Sequence, residues 1–127
     1  MAIKILCVDD QIDALEAEKL LLQLEGYNAN VATTARDAMM LIEHNQYDLF
    51  ILDTHLPDRS GLDLCRWIRV TSKDIPIVIY SGNSYRAAID EAWAAGANRY
   101  LIKPAAFEDI LSTVQELTKH LSLTVKV

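Results

Sequence analysis

Apolar residues fall into two alternating patterns along the chain. Short apolar runs occur at Ile3 to Val8, broken only by Lys4, at Leu49 to Leu52, at Ile75 to Tyr80 with Pro76 near its start, and at Arg99 to Ile102 behind its leading arginine. Runs of this length bounded by polar or turn residues fit strands buried on both faces. Tyr27 to Ala32 instead alternates Tyr27, Ala29 and Val31 with Asn28 and Asn30, the pattern of a half-exposed strand at a sheet edge. Between these runs the apolar spacing becomes helical. Gln11 to Glu25 carries Ala14, Ala17, Leu21 and Leu24, with Gly26 as a stop. Thr33 or Thr34 can cap a second helix through Ala35, Ala38, Met39 and Ile42, with His44 near its end.

After the turn-rich loop Pro57 to Gly61, a third helix runs through Leu64, Cys65 and Ile68, and Ser72 to Asp74 closes it. A fourth spans Tyr85 to Ala95, with Gly96 as its stop. The last has the clearest apolar face, formed by Phe107, Ile110, Leu111, Val114, Leu117 and Leu121. The tail, Ser122 to Val127, reads as a strand-like extension or a linker stub, which gives a domain over 1–121 and a tail over 122–127.

Five strand-then-helix units predict an α/β fold: a doubly wound parallel sheet with helices on both faces. The edge character of the second strand selects the order 2-1-3-4-5. The chain has 127 residues, 51% of them hydrophobic, enough for one domain with a true core. A net charge of −6 argues against direct binding to nucleic acid, which requires a basic face. The start of the chain lacks a signal-like apolar stretch, and no run is long enough to cross a membrane, so the expected location is cytoplasmic, with no membrane partner. Cys7 and Cys65 lack metal-type spacing and read as core residues.

In such a sheet, ligands bind beyond the carboxyl ends of the strands, and here those ends carry chemistry. Asp9 and Asp10 follow the first strand, Asp53 the third, Ser81 the fourth and Lys103 the fifth. Strands one and three are neighbours, so three carboxylates share one crevice. They either raise a pKa or hold a cation, and an all-oxygen set suits Mg²⁺, with Mn²⁺ as a substitute. Mg²⁺ sites commonly include phosphate oxygens, which makes a phosphate the implied substrate. Lys103 offers it a point charge and Ser81 a hydroxyl. Asp53 is then placed as a nucleophile that forms an aspartyl phosphate.

Paired acids, a central acid, a serine and Lys-Pro at these spacings resemble the response-regulator receiver (CheY-like) domain of two-component signal transduction, over nearly the full length. The resemblance implies that Asp53 is the phosphoacceptor. It also implies that Asp10, Asp53 and the backbone carbonyl of His55 bind the metal, with Asp9 helping through water. Thr54, Ser81 and Lys103 would meet the phosphoryl group, and Ser81 and Tyr100 would form the switch. The bond before Pro104 would be cis, and His55 and Asn83 would occupy the two positions that tune dephosphorylation.

The implied partners are a histidine kinase or His-phosphotransfer protein, together with a downstream protein target or a fused effector domain. The output face would be the fourth helix, fifth strand and last helix. Two alternatives are an aspartyl-phosphate phosphatase or phosphotransferase and a phosphorylation-independent pseudo-receiver. Haloacid-dehalogenase-like phosphatases carry an acid two residues after the nucleophile, where this chain has His55. The intact set of five strand-end residues argues against the pseudo-receiver. An FMN phosphate would be repelled by the acidic crevice, and the four scattered glycines form no dinucleotide or Walker loop.

Overall fold

The structure, a computed structural model, describes residues 2–126, with the backbone alone for 122–126. Strands and helices alternate as β1 (Lys4–Val8), α1 (Ile12–Leu24), β2 (Asn28–Ala32), α2 (Ala35–His44), β3 (Leu49–Leu52), α3 (Gly61–Thr71), β4 (Ile77–Ser81), α4 (Arg86–Ala95), β5 (Arg99–Ile102) and α5 (Phe107–Lys126). All strand pairs are parallel, in the order β2-β1-β3-β4-β5, as the edge pattern of β2 predicts.

The period of two along each strand divides the core into two layers. Leu6, Val8, Phe50, Leu52, Ile77 and Ile79 face α2, α3 and α4, where Ala38, Leu64, Ile68 and Ala92 cover them. Ile5, Cys7, Leu49, Ile51 and Val78 face α1 and α5, against Leu15, Leu22, Ile110 and Val114. Both cysteines are free and buried, and burial pushes both thiols up, leaving them inert core residues.

Two expectations about helices change. The helix predicted over 11–25 forms, but its buried residues are Leu15 and Leu22, whereas Ala14, Ala17, Leu21 and Leu24 are exposed. The helix has apolar residues on both sides, so spacing alone does not select the face that meets the sheet. The stretch expected as a strand-like extension or stub continues α5 as helix through Lys126, with Val127 outside the described residues. No residue from Phe107 onward is a glycine or proline that would end the helix.

Local chemistry fixes the loops that carry the site. Thr34 caps α2 by accepting from the Asp37 N–H at 3.0 Å, and Asp58 from the β3–α3 loop accepts from the Ala35 and Arg36 N–H groups at 2.9 Å each. Gly61 begins α3 against the backbone of Asp53: a Cβ there would lie 1.7 Å from the Asp53 carbonyl oxygen, so only glycine fits. Gly96 ends α4 at φ +109°, in the left-handed region that favours glycine. The guanidinium of Arg69 donates to the Gly96, Ser72 and Ile75 carbonyls and to Asn98 Oδ1, tying α3 to the entries of β4 and β5.

Candidate functional site

Register places the ends of β1, β3 and β4 side by side, since Val8 pairs with Leu52 and Leu52 with Ile79. The residues just beyond these ends converge. Asp9, Asp10 and Asp53 each bring a carboxylate oxygen within 4.8 Å of the others. Asp9 and Asp53 are 6% and 8% exposed, whereas Asp10 is open to solvent. Two buried acids thus lie beside an exposed one, which concentrates negative charge at the strand ends.

Lys103 enters from the end of β5, its own N–H held by the Ser81 carbonyl at 2.8 Å. Its ammonium donates to Asp9 Oδ2 at 2.5 Å and to Asp53 Oδ2 at 3.2 Å. Burial works against that charge, but the Asp9 hydrogen bond and the fields of Asp53 and Asp9 outweigh it and lift the ammonium above its ordinary range. Burial raises the Asp53 carboxyl, and the neighbouring Asp9 charge adds to this while Lys103 opposes it. Asp9 Oδ1 also accepts from the Gln11 N–H at 3.0 Å, which orients it at the start of α1.

Thr54 and Ser81 hydroxyls share a hydrogen bond of 2.7 Å across β3 and β4. Ser81 Oγ accepts from the Asn83 N–H at 3.2 Å, and the Tyr100 hydroxyl donates to the Asn83 carbonyl at 2.6 Å. Ser81 and Tyr100 are therefore joined through one residue. The side chain of His55 is exposed. It lines an open cleft of about 480 Å³ with Asn83, Thr54 and Glu91, and its N–H makes a long contact of 3.4 Å to Asp53 Oδ1. The Lys103–Pro104 peptide bond is cis. Asp9, Asp10, Asp53 and Lys103 thus share one crevice, Thr54 and Ser81 bond to each other across β3 and β4, His55 and Asn83 line the neighbouring cleft, and Tyr100 is joined to the group only through Asn83.

An all-oxygen set of one exposed and two buried carboxylates, with Lys103 supplying the counter-charge, suits a hard divalent cation of the Mg²⁺ class. The response regulator receiver domain family matches residues 5–115, nearly the whole of the sheet and its helices. The chain belongs to that family. This receiver is similar to the response regulator MprA of Mycobacterium sp. (strain KMS), 34% identical over 125 residues covering 96% of the chain and 53% of the relative. MprA of Mycolicibacterium vanbaalenii is 34% identical over 122 residues, covering 94% and 52%. The receiver spans about half the length of these curated relatives.

Solved structures agree on the fold. A CheY-like receiver domain protein from Methanospirillum hungatei superposes with a TM-score of 0.90 at 28% identity, covering 96% of this chain and 98% of that one. A two-component response regulator from Clostridium difficile gives 0.90 at 30% identity, covering 94% and 98%. The chain is a receiver domain of the two-component response-regulator type. Among the described residues, no helix is long and apolar enough to cross a membrane.

Sequence reasoning missed two residues beside the site. Glu18 of α1 sits between Leu15 and Leu22 on the buried face; its Oε1 is enclosed without a hydrogen-bond partner, and burial pushes its carboxyl up to about 7. An acid three residues after one core leucine and four before another was the available signal. The apolar run marks Tyr80 only as a strand residue. Its ring lies beneath Lys103.

Proposed function

We propose that the chain is a phosphorylation switch in which Asp53 accepts a phosphoryl group from a histidine kinase or a His-phosphotransfer protein. The observation carrying this reading is the buried Asp53 carboxylate, which shares Lys103 with Asp9 and has Asp10 within cation-binding reach. An Asp53 oxygen attacks phosphorus, the bond from phosphorus to the donor imidazole nitrogen breaks, and the electron pair stays on that nitrogen. Asp9, Asp10, Asp53 and the His55 carbonyl would hold Mg²⁺ or Mn²⁺. The bound cation would neutralise charge on the phosphoryl oxygens. Lys103 balances a second phosphoryl oxygen, and Thr54 and Ser81 offer hydroxyl donors.

Transfer onto Asp53 gives Ser81 a new acceptor, and the Ser81–Asn83–Tyr100 contacts connect that change to the α4/β5/α5 face. Trp93 and Ile102 are exposed there at 47% and 44%, which suits a protein target or fused effector domain that responds to the change. His55 and Asn83 line the cleft beside Thr54, the residue after Asp53, in keeping with a role in dephosphorylation rate. We place the protein in the cytoplasm, where its phosphodonor would be found, and assign it no enzymatic activity beyond its own phosphorylation and dephosphorylation.

Intact mass after incubation with Mg²⁺ and a small acyl phosphate tests the reading. The wild type is expected to gain one phosphoryl group and Asp53→Asn none. An unmodified wild type, or an equally modified variant, refutes it. Steady hydrolysis of unrelated phosphoesters would favour the phosphatase alternative instead.

A further inference from the structure

The Lys103 ammonium bonds to Asp9 and Asp53, carboxylates that a cation and a phosphoryl group would claim. It also lies over the Tyr80 ring, 5.3 Å from its centroid, within the range of cation–π attraction. The Tyr80 hydroxyl accepts from the Ala105 N–H at 3.1 Å, so the same side chain also grips the chain two residues beyond the lysine. Tyr80 immediately precedes Ser81, but strand alternation sends its side chain to the α1/α5 layer while Ser81 meets Thr54.

We propose that Tyr80 is a positioning residue for phosphoryl transfer: its ring holds Lys103 against the site when Asp9 and Asp53 are occupied with other charges, and its hydroxyl only steadies the chain beyond. The inference rests on the aspartyl-phosphate reading above. A lysine ammonium sits on a flexible four-carbon stem, so a lysine released by its carboxylates would otherwise disperse. A neutral ring keeps its attraction for the ammonium whether or not the acids are engaged. Ala105, fixed by the hydroxyl, shortens the free length of chain beyond Lys103.

The test compares wild type with Tyr80→Phe, Tyr80→Leu and Tyr80→Met, each checked by thermal melting. The phosphorylation rate constant at saturating acetyl phosphate is expected to fall about 3–20-fold in the Leu and Met variants and to stay within about 3-fold of wild type in Phe, which keeps the ring. The half-saturating Mg²⁺ concentration should be unchanged, because the three carboxylates remain. Independently of any phosphorylation, the Lys103 ε-methylene protons should carry an upfield ring-current shift in wild type and Tyr80→Phe that disappears in Leu and Met.

A side chain that merely filled space would give rates tracking melting temperature, with Phe no better than Leu. That result, wild-type rates in Leu and Met, or unshifted Lys103 protons in the wild type overturns the proposal. A wild type that forms no Asp53 adduct overturns the aspartyl-phosphate reading, and the transfer role with it. Ring-shifted Lys103 protons in that protein would identify the chemistry, not the placement of the lysine, as the point of failure.

Discussion

Replacing Glu18 with glutamine tests the electrostatics behind the site without touching the residues that face it. Burial, followed by the field of Asp9, raises this carboxyl from its ordinary value of 4.5 to about 7, against the opposing pull of Lys103. The folded chain therefore holds a proton on Glu18 that the unfolded chain has released. Below pH 4.5 both states are protonated and the group is neutral towards stability. Between 4.5 and 7 the unfolded state gains on ionising, and above 7 the full penalty applies. The interval corresponds to about 3 kcal/mol at 1.36 kcal/mol per pH unit, and the partial exposure of Glu18 brings the expected effect to about 2 kcal/mol.

Denaturant unfolding of wild type and Glu18→Gln, with chelator present, reads this directly. The variant should gain about 2 kcal/mol on the wild type between pH 4.5 and pH 8, and roughly 3–5 °C per kcal/mol in melting temperature. Taking the difference between pH values cancels any change in packing. A difference that stays flat within roughly 0.5 kcal/mol would show that the carboxyl is already ionised in the folded chain.

Three further outcomes follow from the geometry. Gly61→Ala drives a Cβ into the Asp53 carbonyl and should cost about 3 kcal/mol in urea unfolding or displace Asp53 enough to slow its phosphorylation; a variant equal to wild type in both would refute the close approach. Lys103→Met leaves Asp9 and Asp53 uncompensated, so the metal-free variant should lose about 2 kcal/mol of stability near neutral pH, while calorimetry should show tighter Mg²⁺ binding as the cation takes over the role of the ammonium. Asp58→Ala removes the carboxylate that caps α2. The Ala35 N–H bond, the leading cause, holds the Asp58 carboxyl below its ordinary 3.8, so the stability it contributes is present above 3.8 and fades as pH falls through the lowered value. Melting curves of the two proteins should accordingly converge in acid.

The fold was legible because period-two and helical patterns rarely conflicted, and the asparagines of β2 marked it as an edge. Where they did conflict, in α1, the residues at helical spacing turned outward, because the helix has apolar side chains all round and only packing selects a face. The site residues were legible from their places at strand ends. Their supports were not: Asp58 caps a helix more than twenty positions earlier in the chain, and Tyr80 reaches Lys103 from an adjacent strand. Such contacts depend on register and layer, which local spacing does not encode.

Asn83 meets Ser81 through its peptide nitrogen and Tyr100 through its carbonyl, while its side-chain Oδ1 accepts from the Tyr85 N–H at 3.0 Å. The wiring between serine and tyrosine is thus made of main chain, common to nearly every amino acid. Mutational drift at position 83 can alter what faces the cleft without severing communication across the sheet. Proline alone, lacking the N–H, would cut the line.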